Sequence, residues 1–386
     1  MLNGYKYRLH PTSEQADFLV RTIGCARFIY NKLLEDRIAI HEEAKAGTGP
    51  KRKLPTPASY KPLFPFLAEA DSLALANAKL HLDAAFAKFF AGTAGFPVFK
   101  SRRKSRASYT TNNQHGTIRI EGDRVRLPKV GFIRFTQHRI FDGAIRSATV
   151  SMTKTGKFFV SLLVEQDDEP WVPAEHKIGI DLGLGHFAVM TNDALVTEKI
   201  ANPRNLRKAE ARLKRTQRAL SRKKPGSRNR EKARLVLAKK HEQVKNRRHD
   251  FLHKLSRRIV DENQVVVVET LKPREMMQDR RLAKSIGDSG WGEFVRQLAY
   301  KCRFHGRTLV QADPWFASTQ VCSACGENGG KKDLHVREWT CAACGAHYKC
   351  QRLYVQFRSL NNAHYCSLHQ PQFVLTDGLS IDKSPR

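Results

Sequence analysis

The spacing of hydrophobic and polar positions changes along the N-terminal half and predicts helices followed by antiparallel strands. Residues 1–8 read as a short strand, and residues 11–44 carry apolar side chains at helical spacing behind a candidate N-cap at Ser13. A second helix is predicted over residues 72–92. Residues 117–166 then alternate with a period of two, which indicates hairpins in a small antiparallel barrel or sheet.

The C-terminal half has the pattern of an α/β layer. Residues 177–193 read as two strands joined by a Gly-rich turn, and residues 264–271 form a short Val-rich run typical of a buried parallel strand. A helix is predicted over residues 291–306 and a further strand over residues 307–314. An order of strands, long helices, strand, helix and strand favours helices packed on a sheet.

The charge of the chain points to a polyanionic partner. Its 68 Lys and Arg outnumber 37 Asp and Glu, for a formal net charge of +31. Because the excess is spread along much of the chain, nucleic acid is favoured over an anionic membrane. The sequence has no apolar run long enough for a transmembrane helix and no signal peptide, so we expect a protein of the cytoplasm or nucleoid.

Two basic segments are candidates for nucleic-acid contact. Residues 204–258 contain 22 Lys and Arg against four Asp and Glu, and Pro225-Gly226 divides them into a predicted helical hairpin. Residues 96–114 interleave aromatic and basic side chains, which suits base stacking and phosphate contact; a solvated basic loop is the alternative. The candidate contacts are Arg102, Arg103, Lys104, Arg106, Arg222, Lys223, Lys224, Arg228, Arg230, Lys232, Arg247 and Arg248.

Four of the eight cysteines have the spacing of a metal site. Cys322 and Cys325 form one CxxC pair, and Cys341 and Cys344 form a second pair after an interval of fifteen residues. Each pair is followed by Gly, which permits the tight turn that directs two thiolates at one ion. The spacing predicts a closed, structural Zn²⁺ ribbon; a disulfide pair or unligated thiols are the alternatives.

Two carboxylates end apolar runs and are candidate magnesium ligands. Asp181 lies in the segment GIDLG, and Glu269 follows a run of four valines. An acid at the end of a buried strand is unusual unless it has a function. Two such acids on adjacent strands can share Mg²⁺ ions, which activate water in phosphodiester hydrolysis, although such sites normally need a third acid.

These motifs together resemble one family. The order GCARFIYN, GIDLG, LSRKKPGSRNREKAR, NRRHDFLHKLSR, VVVVETL and CSACG with CAACGAH is similar to the TnpB (OrfB) proteins of insertion sequences. The resemblance covers roughly residues 1–348. It implies an RNA-guided DNA endonuclease related to compact type V CRISPR nucleases, with a guide RNA from the transposon end and DNA as partners. Asp181 and Glu269 match the first two catalytic acids, and the four cysteines match the zinc ligands.

The resemblance also implies a multidomain α/β fold. It consists of a helical recognition lobe, a small β-barrel and an RNase H-like (RuvC) α/β nuclease domain with an inserted four-Cys zinc ribbon. The expected divisions are residues 1–110 for the strand and helical lobe, 111–170 for the barrel, 175–315 for the nuclease domain with the basic hairpin 203–258, 316–348 for the zinc ribbon, and 349–386 for an atypical tail, frameshifted or disordered.

The family's third acid is missing from this chain. After the last zinc cysteine the family reads Asp-Arg-Asp-x-Asn-Ala-Ala, and here Gln351 takes the place of the catalytic Asp. Its neutral amide oxygen is a poor Mg²⁺ ligand. Some of the codons allowed for Lys349 to Arg352 encode Asn-Val-Asn-Ala when they are read one base later, which is similar to the Asp-x-Asn-Ala of the family. This similarity favours a frameshifted or decayed C-terminus. A selected nuclease-dead protein and an acid supplied from elsewhere are the alternatives.

Three functions follow from these patterns. The first is a transposon-associated, RNA-guided DNA endonuclease that is catalytically impaired. The second is a nuclease-dead, RNA-guided DNA binder that acts as a repressor. The third is a transposition factor that reads its DNA site directly through the N-terminal helices; a transposase that joins strands itself is disfavoured, since the resemblance assigns strand transfer to a separate protein.

Overall fold

The computed structural model divides the chain into two compact units, with the boundary between residues 169 and 170. Gln351, the position predicted to lack the third acid, and the rest of residues 350–386 lie outside the described residues. The structure describes residues 1–47, 53–167, 172–194, 196–312, 322, 325, 327–330 and 338–349.

A capping box fixes the start of the first long helix. The side-chain oxygen of Thr12 accepts a hydrogen bond from the Gln15 N–H at 3.3 Å, and the Gln15 side chain accepts one from the Thr12 N–H at 3.1 Å. Thr12 is therefore the N-cap, and the prediction of Ser13 was wrong by one residue, because Ser13 is already helical. The helix ends at Gly47, whose φ of 67° is the left-handed conformation that glycine adopts without strain.

The first unit contains two long helices and an antiparallel sheet in the order β2-β6-β7-β1-β5-β4-β3. The described pairings do not join β2 to β3, so of the small antiparallel barrel or sheet that we expected, the described strands form one open sheet. The elements are β1 (Leu2–His10), α1 (Ser13–Ala46), α2 (Ser72–Phe90), β2 (Ala107–Asn112), β3 (Arg119–Glu121), β4 (Arg124–Leu127), β5 (Gly131–Thr136), β6 (Ala144–Met152) and β7 (Phe158–Glu165).

Both helices and the sheet of the first unit share one hydrophobic core. Leu19 and Ile29 of α1, Leu75 of α2 and Val160 of β7 are each fully buried in the same cluster. Full burial of such a side chain stabilises the fold by about 1.5–3 kcal/mol relative to an exposed one. The core therefore extends across residues 1–110 and 111–167 rather than stopping between them.

The second unit contains a mixed sheet, a long helical hairpin and a cysteine-bearing segment. Its elements are β8 (His176–Leu182), β9 (His186–Asn192), β10 (Thr197–Ala201), α3 (Asn205–Ser221), α4 (Arg228–Glu262), β11 (Asn263–Val268), α5 (Pro273–Met276), α6 (Ala283–Ser289), α7 (Trp291–Phe304), β12 (Thr308–Gln311), β13 (Glu338–Thr340) and β14 (His347–Lys349).

The main sheet of this unit has the strand order β10-β9-β8-β11-β12. The pairs β10/β9 and β9/β8 are antiparallel, while β11 runs parallel to both β8 and β12. The mixed sheet agrees with the α/β layer expected from the C-terminal half. Helices connect the parallel strands, since α3 and α4 precede β11 and α7 precedes β12.

One face of this sheet is covered by α4 and α7. Ile180 of β8 and Val268 of β11 pack in one cluster with Ile259 of α4 and with Phe294 and Leu298 of α7. The opposite face carries a smaller cluster around Val267, which agrees with the alternation of side chains along a strand. Of the helices in the described part of the chain, none is long and apolar enough to cross a membrane.

Candidate metal sites and nucleic-acid interface

Asp181 and Glu269 lie on adjacent parallel strands at the same level. Asp181 is the sixth residue of β8, and Glu269 directly follows β11. The register pairs Val268 with Ile180, and the Glu269 N–H donates to the Ile180 carbonyl oxygen at 3.3 Å. Adjacent strands are about 4.8 Å apart. The next residues, Asp181 and Glu269, are therefore neighbours across the ladder.

Both carboxylates point to the face opposite the helices. Ile180 and Val268 are fully buried in the cluster that contains α4 and α7, and side chains alternate along a strand. Asp181 and Glu269 follow them by one residue and thus share the other face, where both are partly exposed. Neighbouring carboxylates with access to solvent are the ligands that Mg²⁺ prefers.

In the described part of the chain, no third Asp, Glu, His or Cys side chain joins these two carboxylates in a group able to hold one ion. There, the only group of three or more Cys, His, Asp and Glu side chains able to hold one ion is the four-cysteine cluster. The β9 residue opposite Asp181 is Val189, which offers no oxygen ligand from its side chain. The predicted third position, Gln351, is outside the described residues.

The four predicted zinc ligands converge. The sulfur atoms of Cys322, Cys325, Cys341 and Cys344 all lie within 4.8 Å of one another. The sulfur distances are 3.5 Å for Cys322 to Cys344 and 3.7 Å for Cys325 to Cys341. A tetrahedral Zn²⁺ with Zn–S bonds of about 2.3 Å requires sulfur separations of about 3.8 Å. The cluster therefore fits a four-coordinate structural zinc site.

The two halves of the cysteine cluster have the same backbone hydrogen bond. The Cys322 N–H donates to the Glu327 carbonyl oxygen at 2.7 Å, and the Cys341 N–H donates to the Ala346 carbonyl oxygen at 2.9 Å. In each half, the first cysteine is therefore hydrogen-bonded to the residue five positions further along the chain, and the backbone turns around the CxxC pair between them. Gly345 has a φ of 70°, which agrees with the predicted need for glycine after the second pair.

The basic hairpin has the predicted division at Pro225-Gly226. Helix α3 ends at Ser221 and α4 begins at Arg228, and Gly226 has a φ of 80° in the turn between them. The exposed candidates of this region are Arg222, Lys223, Lys224, Arg228, Lys232 and Arg247. They form a cationic surface at the tip and along the helices.

Two of the candidate contacts use their guanidinium groups inside the protein. Arg230 donates to the carbonyl oxygens of Lys223 at 2.6 Å and Leu220 at 3.3 Å, and it thereby caps the end of α3. Arg248 donates to the carbonyl oxygen of Gly287 at 2.7 Å and packs beside Gly290. Both side chains are partly buried, so they stabilise the hairpin in addition to adding charge.

A buried carboxylate fixes the start of the hairpin. The N-cap residue of α3, Arg204, has left-handed backbone angles and its side chain makes no capping hydrogen bond. Asp288 of α6 supplies the cap instead, since it accepts from the Leu206 N–H at 2.8 and 2.9 Å and from the Arg207 N–H at 3.4 Å. Asp288 is 8% exposed. The sequence alone did not single out this residue.

The basic segment of the first unit has an ordered turn. The Ser101 N–H donates to the Ser105 hydroxyl at 2.9 Å, and the Lys104 N–H donates to the Ser101 hydroxyl at 3.0 Å. Phe99, just before this turn, is 56% exposed. Phe99 is thus exposed beside cationic side chains, whereas Tyr109, the last aromatic residue of this segment, is only 5% exposed. The exposed cations here are Arg102, Arg103, Lys104 and Arg106.

The fold brings together a set of basic residues that the sequence alone did not connect. Arg27, His81 and Lys100 line one cavity of the first unit together with Arg106. They come from α1, α2 and the segment before β2, so no local pattern links them. Lys100 and Arg106 lie in the basic segment 96–114 that the composition singled out, whereas Arg27 and His81 lie on helices outside it.

Comparison with known protein families identifies the class of this chain. The OrfB helix-turn-helix domain model matches residues 1–46, and the OrfB model described as "Probable transposase" matches residues 161–280. A Cas12f1-like TNB domain model matches residues 291–353, which include the four cysteines.

Individual relatives agree with these models. A Streptomyces pristinaespiralis protein named "Putative RNA-guided DNA endonuclease" is 41% identical over 353 residues, covering 89% of this chain and 85% of the relative. InsQ of Escherichia coli K12, with the same description, is 28% identical over 358 residues, covering 88% and 87% of the two chains. The chain therefore belongs to the TnpB (OrfB) family of insertion-sequence proteins.

A solved structure shares the fold. The cryo-EM structure of a Cas12f1–sgRNA–target DNA complex has a TM-score of 0.53 and 13% identity, covering 90% of this chain and 82% of that chain. At this identity the similarity concerns the fold. It agrees with the relationship to compact type V CRISPR nucleases that the sequence motifs implied.

Proposed function

We propose that this chain is an RNA-guided DNA-binding protein of insertion-sequence origin whose nuclease site is impaired. The observation that carries the proposal is the pairing of Asp181 and Glu269 on one face of the mixed sheet, where no further Asp, Glu, His or Cys of the described residues joins them in a group able to hold one ion. The family relationship supports the guided activity, and the incomplete acid set supports the impairment.

The nuclease domain is proposed to be RuvC-like and to span residues 175–315. The strand order supports an RNase H-like arrangement, because β8, β9 and β10 are antiparallel neighbours and are followed in the chain by the parallel strands β11 and β12. Asp181 lies on β8, and Glu269 directly follows β11. The remaining proposed divisions are a recognition lobe over residues 1–110, a sheet region over 111–170 and a zinc ribbon over 316–348. The tail from residue 349 is proposed to depart from the family.

Asp181 and Glu269 are proposed to hold Mg²⁺. The ion would supply activation of water and stabilisation of the leaving oxygen in phosphodiester hydrolysis. The two carboxylates contribute two negative charges at most, whereas paired divalent ions need several anionic oxygens. Gln351 would contribute only a neutral oxygen at the third position. We expect weak Mg²⁺ retention, and weak or absent DNA cleavage as its consequence.

Zn²⁺ is proposed to have a structural role in the cysteine cluster. Four thiolates complete a tetrahedral shell and leave no position for water or substrate. The sulfur separations of 3.5 and 3.7 Å support this assignment. The zinc therefore takes no part in the cleavage chemistry of this proposal.

DNA and a guide RNA from the transposon end are the proposed partners. The relatives named as RNA-guided endonucleases and the net charge of +31 support this choice. In such a complex the base pairs of guide and target carry the sequence information, and the protein contacts the backbones. The proposed contacts are the twelve basic residues of the loop after α2 and of the α3–α4 hairpin, in a protein of the cytoplasm or nucleoid.

Guided binding provides the test of this function. The full chain is purified with RNA transcribed from its own insertion-sequence end, and binding to matched and mismatched DNA is compared with and without ribonuclease. We expect preference for matched DNA that ribonuclease abolishes. Site-specific binding that survives ribonuclease would instead indicate a factor that reads DNA directly, and absence of site-specific binding would contradict any guided role.

A further inference from the structure

A cavity of about 200 Å³ opens into the first unit between its two long helices and the segment that leads into β2. The buried part of its lining, the floor of the cavity, consists of apolar side chains on the two helices and of Tyr109 in β2. Ala26 of α1 and Ala74 and Ala78 of α2 are all buried there, beside Ile23. Three alanines at facing positions leave room that larger side chains would fill, so the sequence itself creates the space.

The rim of the cavity is cationic. Arg27, His81, Lys100 and Arg106 contribute to the lining, and the lining residues within the described part of the chain include no Asp or Glu. Burial lowers the pKa of Lys100 from its ordinary value. Burial and the nearby Lys100 charge lower the pKa of His81. The lowered pKa favours the neutral form of His81, so Arg27, Lys100 and Arg106 carry the positive charge of this lining, and an anion bound there would interact favourably with them.

Lys100 is held in place by its neighbours. The Lys100 N–H donates to the Asn31 side-chain oxygen at 2.7 Å, and the Asn31 side-chain amide donates back to the Lys100 carbonyl oxygen at 2.9 Å. The Lys100 ammonium lies 3.6 Å from the centre of the Tyr30 ring, within cation–π range. The cation is therefore positioned before any ligand arrives, which lowers the entropic cost of binding.

We propose that this cavity binds one unpaired nucleotide of a nucleic-acid strand, with its base on the alanine floor and its phosphate at the cationic rim. The inference deepens the proposed function and rests on it for the class of partner. Hydroxyl groups of Ser105, Ser108 and Thr110 also line the cavity and can hydrogen-bond the sugar or base. An Arg such as Arg106 can bind the phosphate through two parallel N–H groups.

The size and the floor of the cavity favour a nucleotide over a bare phosphate. A cavity of about 150 Å³ lined by apolar side chains is large enough for benzene, so a flat ring of nucleobase size fits the available volume. A phosphate alone would contact the rim and leave the apolar floor in water. A base covers that floor and gains the free energy of apolar burial.

Lysine acylation of the full-length protein tests this proposal at the site itself. The protein is treated with a limiting acylating reagent, and modification of Lys100 is measured by peptide mass spectrometry with thymidine monophosphate, uridine monophosphate, deoxyribose 5-phosphate or inorganic phosphate present. At a nucleotide concentration ten times the dissociation constant, the Lys100 modification rate should fall about tenfold. Lys88, an exposed lysine of α2 that does not line the cavity and is not among the proposed nucleic-acid contacts, serves as internal control.

The expected result is protection of Lys100 by a nucleotide, with little protection by deoxyribose 5-phosphate or inorganic phosphate. Stronger protection by the deoxyribonucleotide would assign the cavity to DNA, and by the ribonucleotide to RNA. Absence of nucleotide protection, equal protection by inorganic phosphate, or equal protection of Lys88 would overturn the proposal.

Variants of the lining test separately how the apolar floor and the cationic rim contribute to nucleotide protection of Lys100. Ala78→Leu should fill the cavity and abolish nucleotide protection of Lys100, while Arg106→Ala should weaken it and Arg21→Ala should leave it unchanged. Arg21 is an exposed arginine of α1 that does not line the cavity and is not among the proposed nucleic-acid contacts. Unchanged protection in Ala78→Leu would contradict a base on the floor. Protection of Lys100 in a protein that shows no guided binding would contradict the guided function and leave the cavity assignment standing.

Discussion

The Glu269 N–H donates a hydrogen bond to the carbonyl oxygen of Ile180 at 3.3 Å, which extends the parallel ladder one residue past the end of β11. This bond sets Glu269 beside Asp181 on the face of the sheet that α4 and α7 leave uncovered. Two carboxylates on adjacent strands, separated by one inter-strand distance, can share a metal ion. Two carboxylates without a third anionic ligand hold it poorly.

Removal of one buried cysteine should remove the zinc. Cys341 is 2% exposed, and Cys341→Ser is expected to lower the zinc content from one ion per chain to nearly none, because the closed site needs all four thiolates. Elemental analysis of the purified protein measures this. Cys25→Ser, which changes a buried cysteine of the first unit, should retain one zinc. Full zinc in Cys341→Ser would refute the four-cysteine assignment.

Loss of the Asp288 cap should destabilise the basic hairpin. Asp288→Ala leaves the Leu206 and Arg207 N–H groups without their acceptor, and we expect a loss of about 1–3 kcal/mol in the free energy of unfolding. Denaturant unfolding and hydrogen exchange at the start of α3 measure it. Asp279→Ala, which removes an exposed acceptor for the Arg281 N–H, is the control and should cost less. Equal losses in the two variants would contradict a special role for Asp288.

Glu293 should make the second unit sensitive to acid. The Arg296 guanidinium donates to Glu293 at 2.6 and 2.8 Å and lowers the pKa of this carboxyl from 4.5 to about 2. Burial acts in the opposite direction, and a hydrogen bond from Gln297 adds to the lowering of the pKa. The stabilisation is present above pH 4.5 and is lost as the pH falls toward 2.

The corresponding measurement compares thermal unfolding of the wild type and Glu293→Gln across this pH range. Since the Glu293 side chain is 35% exposed, solvent screening reduces the expected difference at neutral pH to about 1 kcal/mol, and it should vanish near pH 2. Glu231→Gln, at an exposed pair with Arg234, should show a smaller difference. A constant gap between wild type and Glu293→Gln at all pH values would exclude the assigned linkage.

The tip of the basic hairpin should contribute to nucleic-acid affinity through charge alone. Replacement of Arg222, Lys223 and Lys224 by Ala should lower the slope of log affinity against log salt by about 2–3, because each lost phosphate contact contributes about 0.7–0.9. Fluorescence anisotropy with DNA and with the guide RNA measures the slope. Arg222→Lys, which keeps the charge, should leave the slope unchanged. An unaltered slope in the triple variant would mean that this tip does not contact phosphates.

The sequence was most informative where chemistry and local pattern coincide. GIDLG and the valine run before Glu269 identified two acids at strand ends, and the cysteine spacing identified a cluster whose sulfur atoms lie within 4.8 Å of one another. These signals are local, since each depends on a few consecutive residues. Pro225-Gly226 likewise predicted the turn between α3 and α4.

Features that depend on distant segments could not be predicted. Arg230 and Arg248 looked like any other surface cations, yet their guanidinium groups bind carbonyl oxygens of other segments. The cap at α3 comes from Asp288, more than eighty residues away from Leu206 along the chain. Thr12 and Ser13 are both acceptable N-caps by composition, and the reciprocal bonds with Gln15 decide between them.

Single-turnover cleavage of guide-matched DNA is the most direct test of the central claim. The wild type and Gln351→Asp are assembled with the same guide RNA and compared with Mg²⁺, with target binding measured in parallel and Asp181→Asn as the inactive control. We expect guided binding by all three proteins and weak or absent cleavage by the wild type, with any gain in Gln351→Asp dependent on Asp181. Robust guided cleavage by the wild type would contradict the central claim.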